Sequence, residues 1–287
     1  MSKSITLTID GLQVSVPEGT TLYWAAKKLG IEIPHLCYGE DLPAMSSCRV
    51  CVVEVEGMRN LAASCSHPAG NGMVVHTDSE RVQRARKLNL ELILSDHTVD
   101  CITCEKSGTC LLEKYAYEFG IKGPSFEGVR NEQEIIDDDP FIIRDYNKCI
   151  LCGRCVYVCN EIQYDHAINI ADRGFPATIG TSFDRTLQDT TCVSCGRCIS
   201  VCPTGALSNR KGGGVVVKKK LCIRCGDCAD ACPVSAIHLD STGEPFLCIH
   251  CGRCVSFCPH DCLEMTTILT DNPTDSNSSS QEHLSTG

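Results

Sequence analysis

Along the first seventeen residues Ile5, Leu7 and Ile9 alternate with polar side chains, Asp10-Gly11 intervenes, and Leu12, Val14 and Val16 resume the alternation. This period of two predicts a β-hairpin on a two-residue turn, ended by Pro17. The period then changes. Leu22, Ala25, Ala26 and Leu29 form a helical stripe, with Thr20 or Thr21 as cap and Gly30 where a terminating glycine is expected. A second hairpin is predicted from Arg49 to Ala62, turning at Glu56-Gly57, so two hairpins and one helix make a small α+β unit. Ser79 opens a longer helix, for which the pattern predicts Val82, Ala85, Leu88, Leu92 and Ile93 facing inward. Arg81, Arg84, Arg86 and Lys87 are expected mostly outward, as a solvated face, with partner docking the sharper alternative.

After Gly120 the periodicity fades into an acidic stretch through Asp137, Asp138 and Asp139, read as a linker or cover without chemistry of its own. The pattern then becomes an internal repeat: CILCGRCVYVC from Cys149, CVSCGRCISVCP from Cys192, CIRCGDCADACP from Cys222 and CIHCGRCVSFCP from Cys248. The copies form two tandem pairs, with Gly212, Gly213 and Gly214 a flexible joint between them. The Ser-, Asn- and Asp-rich tail is expected to be disordered. The domains expected are 1–78, 79–140, 141–211 and 215–268, followed by the tail 269–287.

Composition sharpens this picture through cysteine, 24 of 287 residues. MSKSITLTIDG carries no basic segment leading into an apolar one, so the expectation is a cytoplasmic chain whose cysteines are reduced ligands rather than disulfides. The nearly apolar run Leu88–Leu94 is far short of the ~20 residues of a membrane span. With 5% aromatic residues the cores are small, so bound metal is expected to supply folding free energy. A net charge of -10 lacks the basic footprint that nucleic acid or an anionic membrane surface requires.

Each repeat has the spacing C-x2-C-x2-C-x3-C, in which three thiolates of one loop hold a cubane and the fourth crosses to the neighbouring cluster. The crossed sets are Cys149, Cys152, Cys155 with Cys202, and Cys192, Cys195, Cys198 with Cys159. In the second pair they are Cys222, Cys225, Cys228 with Cys258, and Cys248, Cys251, Cys254 with Cys232. Proline follows the fourth cysteine at Pro203, Pro233 and Pro259, whereas Asn160 takes its place in the first copy. Zinc sites favour two C-x2-C pairs and have no use for the third cysteine. Gly153, Gly196, Gly226 and Gly252 suit loops whose amides approach sulfur.

Two further constellations lie upstream. Cys37, Cys48, Cys51 and Cys65 are separated by 10, 2 and 13 residues, with Gly39, Pro43, Ala44, Ser46 and Ser47 leaving room for a wrapped loop. Four thiolates suit [2Fe-2S], but the spacing departs from the plant-type pattern and leaves zinc open. His97, Cys101, Cys104 and Cys110 follow H-x3-C-x2-C-x5-C, which fits zinc or an iron–sulfur cluster about equally, and a lone histidine is often only a surface or capping residue.

On these residues, 1 to about 210 resembles the amino-terminal region of the large iron–sulfur subunit of respiratory complex I. The same stretch is similar to the corresponding region of iron-only hydrogenases and of NAD-linked hydrogenase and formate dehydrogenase subunits. The resemblance implies a β-grasp [2Fe-2S] domain on the first four cysteines and, through DHTVDCITCEKSGTC, a helical domain with a histidine-ligated [4Fe-4S] cluster. Two tandem 2[4Fe-4S] ferredoxin-like modules complete an α+β architecture with one [2Fe-2S] and five [4Fe-4S] clusters, ~22 iron atoms in all. Cys262 alone is left over, read as a small buried residue.

No G-x-G-x-x-G, P-loop lysine or Ser/His/Asp order is found, so electron movement is the chemistry that remains and the chain is not expected to catalyse alone. The expected role is a relay in a cytoplasmic NAD(P)-linked hydrogenase, one able to serve electron bifurcation. It would sit between a flavin subunit that oxidises NAD(P)H and a separate hydrogenase subunit or a soluble ferredoxin. An NAD-linked formate dehydrogenase or a transhydrogenase is the related alternative, and a zinc-binding assembly protein the alternative of another class.

Overall fold

A computed structural model describes residues 3–39, 41–139, 141–209, 214–217, 221–230, 238–239, 245–246, 258–260 and 262–266. The first hairpin pairs β1 (Ser4–Ile9) with β2 (Leu12–Pro17) in register from Ser4↔Pro17 to Ile9↔Leu12. Asp10 and Gly11 both take positive φ, 48° and 80°, the turn whose twist matches that of its strands. Thr21 precedes α1 (Leu22–Lys28), which buries Leu22, Ala25 and Ala26 and ends at Gly30 with φ 76°.

The second hairpin is shorter than its pattern suggests. β3 (Val52–Val55) meets β4 (Ala62–Ala63) only through Val52↔Ala63 and Val53↔Ala62. Beyond that point Glu54 and Val55 pair with His76 and Val75 of β5 (Val74–His76), a strand the pattern did not announce. β5 also runs parallel to β1, giving one mixed sheet of order β2-β1-β5-β3-β4. α1 and the sheet share a core of Ile5, Leu7, Ile9, Leu22, Val53 and Val75.

α2 (Glu80–Ser95) begins at Ser79, whose hydroxyl accepts from Val82 N at 3.3 Å. Its inward face differs from the expected one. Val82, Arg86, Leu90 and Leu94 are buried, whereas Leu88 and Leu92 are about half exposed. The reason is Arg86, which donates from Nε and Nη2 to Val52 O at 3.2 and 2.8 Å and so turns the helix to close a strand carbonyl.

α3 (Leu111–Glu118) packs Leu112 and Tyr115 against Leu90 and Leu94 of α2, together with Leu36 and Val50 from the loops around the first cysteines. Ile150, in the first repeat, is packed on this same core. The acidic stretch is a strap over the fold. Asn131 N donates to Asp96 Oδ1, Gln133 N donates to Asn147 Oδ1, and Asp138 pairs with buried Arg144 at 2.8 Å. Asp139 accepts from the amides of Phe141 and Ile142, both at 2.9 Å.

β6 (Ile142–Arg144) then pairs with β9 (Leu207–Asn209), enclosing α4 (Arg154–Tyr157), a π-helical turn over Val158–Ile162, the pair β7 (Asn169–Ala171) and β8 (Thr178–Gly180), and α5 (Arg197–Val201). Gly214, expected in a flexible joint, instead starts β10 (Gly214–Val217); Gly212 and Gly213 lie outside the described residues. α6 (Asp227–Asp230) and the short pair β11 (His238–Leu239) and β12 (Pro245–Phe246) follow, and β13 (Leu263–Thr266) returns to β10. The tail 269–287 lies outside the described residues.

Candidate metal centres

Cys37, Cys51 and Cys65 are buried and Cys48 is half-buried, on loops held between the sheet and α2. They stand as two pairs. Cys37 N and Cys48 N each donate to the other residue's sulfur at 3.5 Å, while the sulfurs of Cys51 and Cys65 are 3.4 Å apart. Within each pair one thiol hydrogen-bonds the other, drawing Cys37 down to about 5 and Cys65 down to about 6 while pushing Cys48 and Cys51 up. Within each pair, then, loss of a proton is favoured on one sulfur and disfavoured on the other. The Arg86 guanidinium remains a cation, its pKa lowered by burial only to about 10, and a negative charge on Cys51 would act on it. Sequence reading missed this buried counter-charge.

His97 is buried just beyond the end of α2, and its Nδ1 has no hydrogen-bond partner among the described residues. Burial lowers its pKa to about 4, so the ring is neutral and keeps a lone pair free for a metal. Cys110 caps α3, its sulfur accepting from Glu113 N at 3.5 Å. Glu113 also binds the loop, accepting from Gly108 N at 2.8 Å. Burial raises the Cys101 and Cys110 thiols, and Cys104 exerts its charge on both.

In the repeats, Gly153, Gly196 and Gly226 take φ of 74°, 67° and 90°, and a helix starts immediately after each. The loops are therefore built alike, with amides turned to sulfur: Leu151 N donates to Cys149 and Ser194 N to Cys192, both at 3.4 Å. One cavity is lined by Cys149, Cys152, Cys155 and Cys202, a second by Cys159, Cys192, Cys195 and Cys198. Tyr146 lines both. Cys222, Cys225, Cys228 and Cys258 line a third, and Cys262 joins them there. Cys232, Cys248, Cys251, Cys254 and Gly252 lie outside the described residues.

Burial pushes Cys149 up to about 12 and Cys152 and Cys192 up to about 11. Such thiols stay protonated until a cation displaces the proton, which is the behaviour expected of a metal nest. Among the described residues no three His, Cys, Asp or Glu side chains converge as tightly as the ligands of one ion. The donor set, the thiol-lined cavities and the unpartnered imidazole nitrogen fit iron–sulfur clusters.

The sites adjoin one another. Arg154, between Cys152 and Cys155, donates from Nη1 to Leu36 O at 3.4 Å, next to Cys37, whose charge acts on Cys152. On another side Leu111 N donates to Pro203 O at 3.1 Å, and a Cβ placed on Gly205 would lie 2.8 Å from Cys104 Sγ. Lys148, preceding Cys149, pairs with Asp100 at 2.9 Å and Asp145 at 3.1 Å. Cys155 in turn feels the charge of Cys198 in the second cavity.

Comparison with known proteins follows the same divisions. Residues 2–80 match a 2Fe-2S iron-sulfur cluster binding domain, 86–124 the NADH-ubiquinone oxidoreductase-G iron-sulfur binding region, and 139–208 the ferredoxin-like domain of NADH-quinone oxidoreductase subunit 3. A 4Fe-4S dicluster domain matches 191–237 and a 4Fe-4S binding domain 244–264. The dicluster match joins the second and third repeats, whereas the cavities group Cys202 with the first repeat and Cys258 with the third. The NADP-reducing hydrogenase subunit HndD of Solidesulfovibrio fructosivorans is 50% identical over 209 residues, 71% of this chain and 36% of that protein. An NADH-quinone oxidoreductase subunit of Rickettsia bellii is 38% identical over 242 residues, 84% of this chain and 35% of that protein. The chain thus spans about a third of these relatives. A crystal structure of an NAD+-reducing [NiFe]-hydrogenase in the H2-reduced state aligns with a TM-score of 0.68 and 34% identity, over 73% of this chain and 89% of that one.

Proposed function

The chain belongs to the family of iron–sulfur subunits shared by NADH-quinone oxidoreductase and NAD(P)-linked hydrogenases, and on that premise we propose that it relays electrons inside a hydrogenase complex. In this reading a β-grasp domain, 1–78, holds [2Fe-2S] on Cys37, Cys48, Cys51 and Cys65. A second domain, 79–140, holds [4Fe-4S] on His97, Cys101, Cys104 and Cys110. Modules 141–211 and 215–268 hold four more [4Fe-4S] clusters on the crossed sets of the repeats. The clusters supply one-electron oxidation and reduction, and the protein supplies insulation, counter-charge and spacing.

The observation that carries the proposal is the contiguity of the sites. The cavity of Cys149, Cys152, Cys155 and Cys202 adjoins the first cysteine site through Arg154, the His97 site through Gly205, and the next cavity through Tyr146. Such a junction suits a subunit that takes electrons from a flavin-bearing partner and passes them onward. The pairing of Cys37 with Cys48 and of Cys51 with Cys65 supports a two-iron centre over single zinc, since each pair can serve one iron. The 50% identity to an NADP-reducing hydrogenase subunit favours a hydrogenase as the terminal partner. The match to the Rickettsia bellii NADH-quinone oxidoreductase protein over 84% of the chain favours, as a second reading, the same relay in another NAD(P)H-linked oxidoreductase.

The test is anaerobic purification of the native complex, identification of its other chains, and metal analysis. The proposal expects a flavin subunit, a hydrogenase subunit, and cluster absorbance near 400 nm that bleaches with NAD(P)H or hydrogen only when those partners are present. Stoichiometric zinc at the first two sites, or a complex lacking any flavin subunit, would overturn it.

A further inference from the structure

Clusters held as proposed would use every cysteine except Cys262, which the structure nonetheless sets at a cluster cavity. Its sulfur lies 3.1 Å from that of Cys258, and both line the cavity with Cys222, Cys225 and Cys228. The placement is enforced by the backbone. Leu263, the next residue, opens β13 and pairs with Val217 of β10, the strand that leads into the Cys222 loop. Cys262 is itself buried, 5% exposed, with no other metal site beside it among the described residues. Five thiols thus converge where a cubane takes four.

We propose that Cys262 is a reserve ligand of the third ferredoxin-type cluster, able to take the iron that Cys258 holds. The inference rests on the reading that Cys222, Cys225, Cys228 and Cys258 bind a [4Fe-4S] cluster. In the exchange one iron–sulfur bond to Cys258 breaks and one to Cys262 forms. The thiol proton of Cys262 crosses the short contact to the departing Cys258 thiolate. Iron count, cluster oxidation level and total charge are unchanged, and no outside reactant is needed. A module whose Cys225 is exposed to solvent gains a ligand that keeps the cluster whole if Cys258 is lost or alkylated.

The full-length chain, reconstituted anaerobically with iron and sulfide, allows a direct test by iron and sulfide content, electron paramagnetic resonance of the reduced protein, and alkylation mapped by mass spectrometry. Cys258→Ala and Cys262→Ala should each keep the iron of the wild type, and the double variant should lose about four irons per chain. Cys225→Ala should lose about the same, setting the size of a loss without a reserve. In Cys258→Ala, Cys262 should resist alkylation until the clusters are removed with acid. Signals of the upstream clusters, unchanged throughout, report that each variant has folded. Loss of about four irons from Cys258→Ala alone, with the upstream signals intact, would overturn the proposal, as would the same loss from Cys262→Ala alone. Full iron in both the double variant and Cys225→Ala would instead overturn the underlying assignment of a cluster to this cavity.

Discussion

A buried cation beside thiolates acts on both stability and potential. Arg86 is 4% exposed, bonds twice to Val52 O and would be acted on by a negative charge on Cys51. Arg86→Met should destabilise the amino-terminal domain by on the order of 1–3 kcal/mol, because a carbonyl loses a charged donor. It should also lower the potential of the first centre, since removing a positive charge disfavours the reduced, more negative state. Thermal unfolding and a redox titration read the two effects separately. His97 adds a pH dependence. Its ring titrates near 6.5 when unfolded and at about 4 in the folded chain without its cluster, so the unfolded chain binds the extra proton between those values. The stabilisation is therefore fully present above about pH 6.5 and disappears as the pH falls toward 4. The His97 centre should bleach first on acidification over that range, and iron release followed at stepped pH checks it. These two residues differ in how far sequence exposes them. His97 stands in a metal-ligand spacing, but Arg86 lies in a run of basic residues on an amphipathic helix, where pattern assigns charge to the outside. Only the fold reveals the carbonyl 34 positions away that draws it in.

At the scale of elements, local signals and long-range partners separate cleanly. The hairpin of β1 and β2, the Ser79 cap of α2, Gly30 at the end of α1 and the left-handed Gly153, Gly196 and Gly226 are written in adjacent residues and are present, whereas Thr21 stands before α1 without a capping bond from its side chain. β5 was illegible because a three-residue strand has no measurable period; its pairing with β1 and β3 is supplied by residues far along the chain. The same non-local logic governs the turn between α5 and β9. Gly205 leaves no room for a side chain, since a Cβ there would meet Cys104 Sγ at 2.8 Å and the Lys148 side chain at 3.5 Å. Gly205→Ala should therefore push two centres apart where their modules touch. The expected outcome is selective loss or lability of the His97 centre and slower onward reduction, with the [2Fe-2S] signal intact. Electron paramagnetic resonance of the reduced variant checks it, and unchanged spectra would show that the Cys104 loop can yield.

For the whole molecule, the proposed relay would divide near residue 210. Among the described residues the three buried cores, and the contacts that join their sites, lie before residue 210. β10 has β13 as its sheet partner, so removing residues 215–287 takes away that pair almost intact and leaves the upstream sheets complete. The truncated chain should keep its upstream clusters, and in complex with the flavin partner those clusters should still be reduced by NAD(P)H. Delivery to one acceptor, the hydrogenase centre or a soluble ferredoxin, should be lost, because the carboxy-terminal module would be the exit. Charge adds a second signature. The polypeptide carries -10, and clusters with their thiolates bring it to roughly -20, so docking to the partner should weaken as salt rises. Hydrogen turnover linked to NAD(P)H, ferredoxin reduction and pull-down at stepped ionic strength measure these outcomes on the full and truncated complexes. Wild-type rates of both reactions in the truncated complex would place the exit upstream, at the junction where the cavity of Cys149 and its partners meets its neighbours.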